Sequence, residues 1–228
     1  MEMEQIKQEL AALWQLRDFE DIANTATRRL MRERGDWDPP DGIEPKRPAI
    51  PMAIGVPDKN TLPKAALADA AREVLTDESE AAWVYGFGMG YTRLRAQLAE
   101  RFTRQHGHEV NEDYYQLTNG SAGAIDLICR CLIDPGDVII TESPTYMGTL
   151  RNFRGVMADV RSVEMDAEGL KTDVLESLIL KLKAEGKTIK FIYTISTFQN
   201  PTGCCLSLSR RKALLALAAR HKILILDD

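Results

Sequence analysis

Lys190-Phe191-Ile192-Tyr193-Thr194-Ile195 runs into the turn Phe198-Gln199-Asn200-Pro201-Thr202-Gly203. It is followed by an amphipathic helical pattern over Arg210 to Arg220 and then by Ile223-Leu224-Ile225-Leu226-Asp227-Asp228. The first and last of these runs are short and apolar on both faces, which predicts strands covered on both sides rather than the half-wet strands of an antiparallel sheet. Strand, helix and strand at this spacing make a βαβ unit, so the two strands are expected side by side and parallel, with their exits at one edge.

The alternation continues upstream. Tyr115-Gln116-Leu117-Thr118 reads as a strand leading to a helix over Ala124 to Leu132, and Val138-Ile139-Ile140-Thr141 as a strand leading to a helix near Tyr146 to Arg154. Val160 to Val163 reads as a further short strand. The expected fold class is therefore α/β, a mainly parallel sheet sandwiched by helices. Helical patterns over Leu62 to Leu75 and Tyr91 to Gln105 surround the turn-rich Tyr85-Gly86-Phe87-Gly88-Met89-Gly90. Residues 4 to 35 carry a helical rhythm that the prolines between Asp38 and Pro48 break, dividing an N-terminal helical arm and linker (1–48) from a main domain (49–228).

Composition narrows the function. The 228 residues are 44% hydrophobic and 28% charged, enough for a sizeable core. A net charge of -5 with acids and bases interspersed argues against a nucleic-acid partner, because phosphate neutralisation needs clustered Lys and Arg. Cys129, Cys131, Cys204 and Cys205 lack the two-residue gap of a redox or zinc motif, so no metal site is expected. Cys129 and Cys131 lie among Ile and Leu and read as buried apolar fillers, and reduced thiols fit a cytoplasmic location. No apolar run approaches the ~20 residues that span a bilayer, and the acidic start is wrong for a leader; neither membrane insertion nor secretion is expected. His106 and His108 read as solvated, and His221 sits at a helix end that favours a cation.

Parallel α/β sheets bind ligands outside the carboxyl ends of their strands. Four such positions carry suggestive chemistry. Thr118-Asn119-Gly120-Ser121-Ala122-Gly123 can open a helix with successive backbone amides facing an anion. Ser143-Pro144-Thr145-Tyr146 brings an aromatic ring to the same edge, and Asn200 offers a side-chain amide. Asp228 ends a buried strand, where a carboxylate is costly unless paired, and a protonated ring nitrogen would pair it. Taken singly, these are a helix cap, a core tyrosine, an ordinary turn and a strand end. Gly86 to Gly90 does not make a dinucleotide fingerprint, since its glycine spacing is wrong and it opens no helix directly after a strand.

In this order, Tyr85 to Arg95, Thr118-Asn119-Gly120-Ser121, Pro144-Thr145-Tyr146, Asn200-Pro201-Thr202-Gly203 and Asp227-Asp228 resemble the class I/II aminotransferases of the fold type I pyridoxal-phosphate enzymes. The resemblance runs from about residue 50 to the end, and its style is that of the kynurenine, 2-aminoadipate and aromatic aminotransferases. It implies pyridoxal 5'-phosphate as cofactor, amino acid and 2-oxo acid substrates, and a homodimer. Position by position, it implies Gly120, Ser121 and Ala122 on the cofactor phosphate, Tyr146 stacked on the ring, and Asn200 on the ring hydroxyl. Asp228 would bond the ring nitrogen, with Asp227 the alternative. It further implies Tyr85 reaching the partner subunit's phosphate group and Gly55 at the substrate carboxylate.

In the resembling family the Schiff-base lysine follows the acidic pair and a substrate-binding arginine lies near the C-terminus; neither position is among these 228 residues. The expectation is the N-terminal part of an aminotransferase, inactive alone, with no catalytic residue of its own. The alternatives are a non-catalytic cofactor-binding or dimerising domain, and a different reaction, decarboxylation or elimination, on the same fold.

Overall fold

The computed structural model describes residues 2–15, 19–32, 57–76, 83–86 and 88–228. The chain forms two compact units, one of Met1–Asp38 with Asn119–Asp228 and one of Pro39–Thr118.

The first unit opens with helices α1 (Glu2–Gln15), α2 (Phe19–Ile22) and α3 (Thr25–Arg32). Within the second unit lie α4 (Lys64–Thr76) and α5 (Thr92–His106). Gly107 ends α5 in the left-handed conformation at φ 65°, its N–H returning to the Thr103 carbonyl. Arg95 on α5 is buried and donates to the Glu112 carbonyl at 2.9 Å, and its Nη1 lies 3.5 Å from the Tyr115 carbonyl. The Leu117 N–H donates to Met89 O at 3.0 Å. Backbone groups of Tyr115 to Thr118 are thus engaged by a side chain and a turn rather than by a ladder. The expected strand there does not form.

The rest of the first unit follows the alternating plan: α6 (Gly120–Leu132), β1 (Val138–Ser143), α7 (Met147–Gly155), β2 (Asp159–Asp166), β3 (Gly169–Leu170), α8 (Thr172–Ala184), β4 (Ile189–Thr194), α9 (Leu208–His221) and β5 (Leu224–Asp227). Helix α6 begins at Gly120, earlier than the apolar pattern from Ala124 suggests. The order across the sheet is β3-β2-β1-β4-β5, parallel except for the antiparallel β2–β3 pair. The α/β class with a mainly parallel sheet between helices is as expected.

Two apolar layers hold the sheet. On one face Ile125 and Cys129 of α6 and Phe153 of α7 pack on Ile139, Phe191 and Tyr193. The edge of the Phe153 ring meets Phe191 and Tyr193 at centroid distances of 5.7 and 5.4 Å. On the other face Leu175, Ile179 and Leu182 of α8 and Leu214 and Leu217 of α9 cover Ile140, Ile192 and Val163. Helix α8 was not anticipated, although Val174, Leu175, Leu178, Ile179 and Leu182 recur at helical spacing and Gly186, at φ 72°, follows its end.

Two readings are corrected by burial. Cys129 is fully buried, whereas Cys131 is exposed. Successive helix residues diverge by about 100°, so two cysteines two apart cannot share the core face. Leu224 on β5 is 59% exposed, so this strand is not covered on both faces along its whole length. At the end of α9 the Lys183 ammonium donates to the His221 carbonyl at 3.1 Å.

Candidate functional site

The direction of the chain singles out one crevice. From β1 the chain passes through α7 on one face to β2; from β4 it passes through α9 on the opposite face to β5. Strands β1 and β4 are neighbours, and their continuations leave in opposite directions. The gap above their carboxyl ends is a topological switch point, where α/β sheets hold ligands. The loops bearing Tyr146 and Asn200 leave those two strands.

Tyr146 is the residue before α7, half-buried against the layer of Phe153 and Tyr193. Its ring lies over Gly148: a Cβ there would stand 2.6 Å from Cε1 and Cζ. Glycine at 148 therefore sets the ring's height above the loop. Asn200 is exposed on its turn, and Gly203 makes the reversal with φ 73°. Gly120, with φ 73°, starts α6, where Asn119 makes no side-chain cap; Ser121 and Ala122 occupy the exposed first turn. Asn152 of α7 donates to the Ala122 carbonyl at 3.0 Å, tying this turn to α7.

The two terminal carboxylates face different sides. Asp227 accepts from the Ser196 N–H at 2.9 Å and the Ser196 hydroxyl at 2.8 Å. Asp228 accepts from the Tyr193 hydroxyl at 2.6 Å, and that hydroxyl lies 3.1 Å from Thr149 Oγ1 in the first turn of α7. Asp228 thus stands beside the helix that Tyr146 precedes. Burial, then the hydrogen bond to Asp228, pushes the Tyr193 phenol far above its usual range.

Beneath the crevice lies a closed polar cluster. Glu142, at the end of β1 and 2% exposed, accepts from the Thr194 hydroxyl, from the Ile195 N–H at 3.2 Å and from Gln199 Nε2 at 3.1 Å. Burial raises the Glu142 pKa; the three hydrogen bonds oppose the rise and the Asp227 charge adds to it. Gln199 is 1% exposed.

The first turn of α6 (Gly120, Ser121, Ala122), Tyr146 and Asp228 are thus linked to α7, while Asn200 stands on the turn that leaves β4, which Gln199 ties to the Pro144 carbonyl. Tyr85 is fully exposed in the other unit, and Gly55 lies outside the described residues. Glu142, Gln199, Tyr193, Thr149 and Gly148 were not singled out from sequence. Asp228 proves to be exposed, so the cost of an unpaired buried carboxylate at a strand exit does not bear on it; the same argument applied to Glu142, 2% exposed, would have flagged that residue.

These residues suit a flat, phosphorylated heteroaromatic ligand: a glycine-opened helix start for the anion, a ring held at fixed height, and a carboxylate on the same side. Among the described residues no cluster of His, Cys, Asp or Glu could hold a metal ion, and no helix is long and apolar enough to cross a membrane.

Comparison with known proteins agrees. Residues 47–228 match the family described as aminotransferase class I and II. The aromatic-amino-acid aminotransferase 1 of Thermococcus litoralis is 37% identical over 179 residues, which are 78% of this chain and 43% of that enzyme. The kynurenine aminotransferase of Pyrococcus horikoshii, solved in complex with PMP, superposes with a TM-score of 0.75 at 30% identity, covering 96% of this chain and 52% of that one. The α-aminoadipate aminotransferase of Thermus thermophilus, complexed with N-(5'-phosphopyridoxyl)-L-leucine, gives a TM-score of 0.68 at 32% identity, covering 76% of this chain and 42% of that one. The chain thus spans about half or less of the length of these relatives, and over that span it belongs to the class I and II aminotransferases, a family of pyridoxal-phosphate enzymes.

Proposed function

We propose that these residues are the cofactor-holding part of an aminotransferase that moves an amino group from an amino acid to a 2-oxo acid, with pyridoxal 5'-phosphate in the crevice between β1 and β4. The observation that carries the reading is the convergence, at the switch point, of Tyr146 over Gly148 and of Asp228 fixed by Tyr193. The kynurenine, 2-aminoadipate and aromatic enzymes among its relatives support an aromatic or long-chain acidic amino donor.

In this reading the first turn of α6, at Gly120, Ser121 and Ala122, receives the phosphate, and the Tyr146 ring packs on the pyridine face. Asn200 bonds the ring hydroxyl. Asp228, rather than Asp227, bonds the ring nitrogen, because it stands on the α7 side with Tyr146, whereas Asp227 is engaged by Ser196. A carboxylate against that nitrogen keeps it protonated. When bound, the cofactor supplies an electron sink for negative charge at the substrate α-carbon.

Lys190 and Lys222 stand at the amino ends of β4 and β5, away from the rim, and Lys190 is paired with Asp137 at 3.1 Å. These 228 residues are therefore proposed to hold cofactor without turning it over. Tyr85 reaching a second subunit, Gly55 at the substrate carboxylate, a homodimer and a cytoplasmic location belong to the same proposal. The test is titration of the 228-residue chain with pyridoxal 5'-phosphate, followed by absorbance. Saturable binding that Tyr146→Ala and Asp228→Asn each weaken about tenfold or more supports the reading; no binding, or variants that bind like the parent, rejects it.

A further inference from the structure

Gln199 uses every hydrogen-bonding position of its side-chain amide. Nε2 donates to Glu142 Oε2 at 3.1 Å and to the Pro144 carbonyl at 2.8 Å; Oε1 accepts from the Thr202 N–H at 3.0 Å and from the Thr202 hydroxyl at 2.6 Å. An amide side chain has two donors and two acceptor sites, and all four are filled in a position that is 1% exposed. The partners come from three places: the end of β1, the loop that leads from it to Tyr146, and the turn that carries Asn200. The backbone closes the same turn, with the Gln199 N–H donating to the Cys204 carbonyl at 2.8 Å and the Gly203 N–H to the Gln199 carbonyl at 2.5 Å.

The two loops leave neighbouring strands at the switch point and have no ladder bonds beyond Ser143 and Thr194. Exposed loops of this kind ordinarily move independently. The side chain of Gln199 bridges them, and Glu142 anchors the bridge to β1.

We infer that Gln199 is a positioning residue that locks the Pro144 to Tyr146 loop and the Asn200 to Gly203 turn into one rigid rim, so that Tyr146 and Asn200 are presented to a ligand at fixed separation. The inference rests on the cofactor reading for what the rim holds, but the coupling of the loops stands without any ligand. A buried amide with complete hydrogen bonding rigidifies its surroundings, and removing it leaves the Glu142 carboxylate and the Thr202 amide short of a partner. Apolar replacement should loosen both loops together. Gln199→Glu keeps the acceptor for Thr202 but sets a second carboxylate against Glu142, with Asp227 as the further charge near that group. At acid pH a proton on the introduced side chain ends the repulsion and restores one of the two donors, so this variant should recover in part as pH falls.

Hydrogen exchange on the ligand-free 228-residue chain tests the coupling. In Gln199→Leu, protection is expected to fall together at Leu150, whose N–H donates to the Tyr146 carbonyl at 3.4 Å, and at 202–204, while β1 and β4 keep theirs. Gln199→Glu should be loosened near neutral pH and regain part of its protection below about pH 5. Loss confined to 202–204, or no recovery of Gln199→Glu in acid, overturns the inference. Pyridoxal 5'-phosphate titration is the second arm. A Gln199→Leu variant that keeps its sheet but binds roughly tenfold more weakly supports the positioning role, and parental affinity despite loosened loops overturns it. If the parent chain itself fails to bind, the cofactor reading falls, and the exchange arm alone decides the coupling.

Discussion

The Tyr193 hydroxyl donates to the Asp228 carboxylate at 2.6 Å, so a residue in the middle of the sheet's apolar layer fixes a carboxylate at its rim. Core and site are one construction here: Tyr193 packs against Phe153 by its ring and serves Asp228 by its hydroxyl.

Tyr193→Phe keeps the ring and removes that hydrogen bond, together with the partner of Thr149. The expected cost is about 1–2 kcal/mol in urea unfolding, with an unchanged m value. The pH signature adds a second check. The folded phenol titrates above its unfolded value, so its contribution is full below the unfolded pKa of about 10 and is lost as pH rises beyond it. Stability of the parent should fall more steeply than that of Tyr193→Phe above about pH 10; parallel curves would remove Tyr193 from this account.

Gly148→Ala separates the Tyr146 ring from folding. Alanine is a better helix former than glycine by about 1 kcal/mol, so thermal stability should hold or rise. The new methyl group would meet the ring at 2.6 Å and displace it. Cofactor affinity should drop about tenfold without loss of helix, measured by titration beside circular dichroism. Equal affinity would show that the ring's position does not matter.

Glu142 gives a pH dependence of the same cause and sign at lower pH. Burial raises its folded pKa, so its contribution is fully present below the unfolded value of about 4.5 and is lost as pH rises through the folded one. Unfolding free energy across that interval should decline with pH in the parent and stay flatter in Glu142→Gln, whose amide oxygen can serve the Ile195 and Gln199 donors while its amide hydrogens face the Thr194 hydroxyl. Identical slopes would place the proton elsewhere.

The cysteines offer a probe of the α6 layer. Burial pushes the Cys129 thiol up to about 11, and it is fully enclosed, whereas Cys131 and Cys205 are exposed. Thiol reagent at pH 8 should label Cys131 and Cys205 rapidly and Cys129 only on unfolding. Fast labelling of Cys129 in the folded chain would contradict the packing of α6 on Ile139 and Phe191.

What was legible in the sequence follows from how local each cause is. Val138 to Thr141 and Lys190 to Ile195 announce buried strands by composition alone, and the βαβ spacing put their exits on one edge. Tyr115 to Thr118 misled because its apolar alternation satisfies a strand pattern, while Arg95 and Met89, distant in sequence, claim its backbone. Leu224 misled for a related reason: burial of β5 depends on what lies beside it, which no single run records. At the site, Tyr146, Asn200 and Asp228 were visible as chemistry at strand exits. Gln199 was hidden because its role lies in four hydrogen bonds that tie its own turn to Glu142 and Pro144, more than fifty residues upstream, and Gly148 because its cause is a ring two residues away that folds back over it.

The most direct test of the central claim is a crystal structure of this chain with pyridoxamine 5'-phosphate. The account predicts the ring under Tyr146, its nitrogen at the Asp228 carboxylate and its phosphate at the first turn of α6, over Gly120 to Ala122. A ligand seated away from the β1–β4 crevice, or a ring nitrogen with no carboxylate beside it, would contradict it.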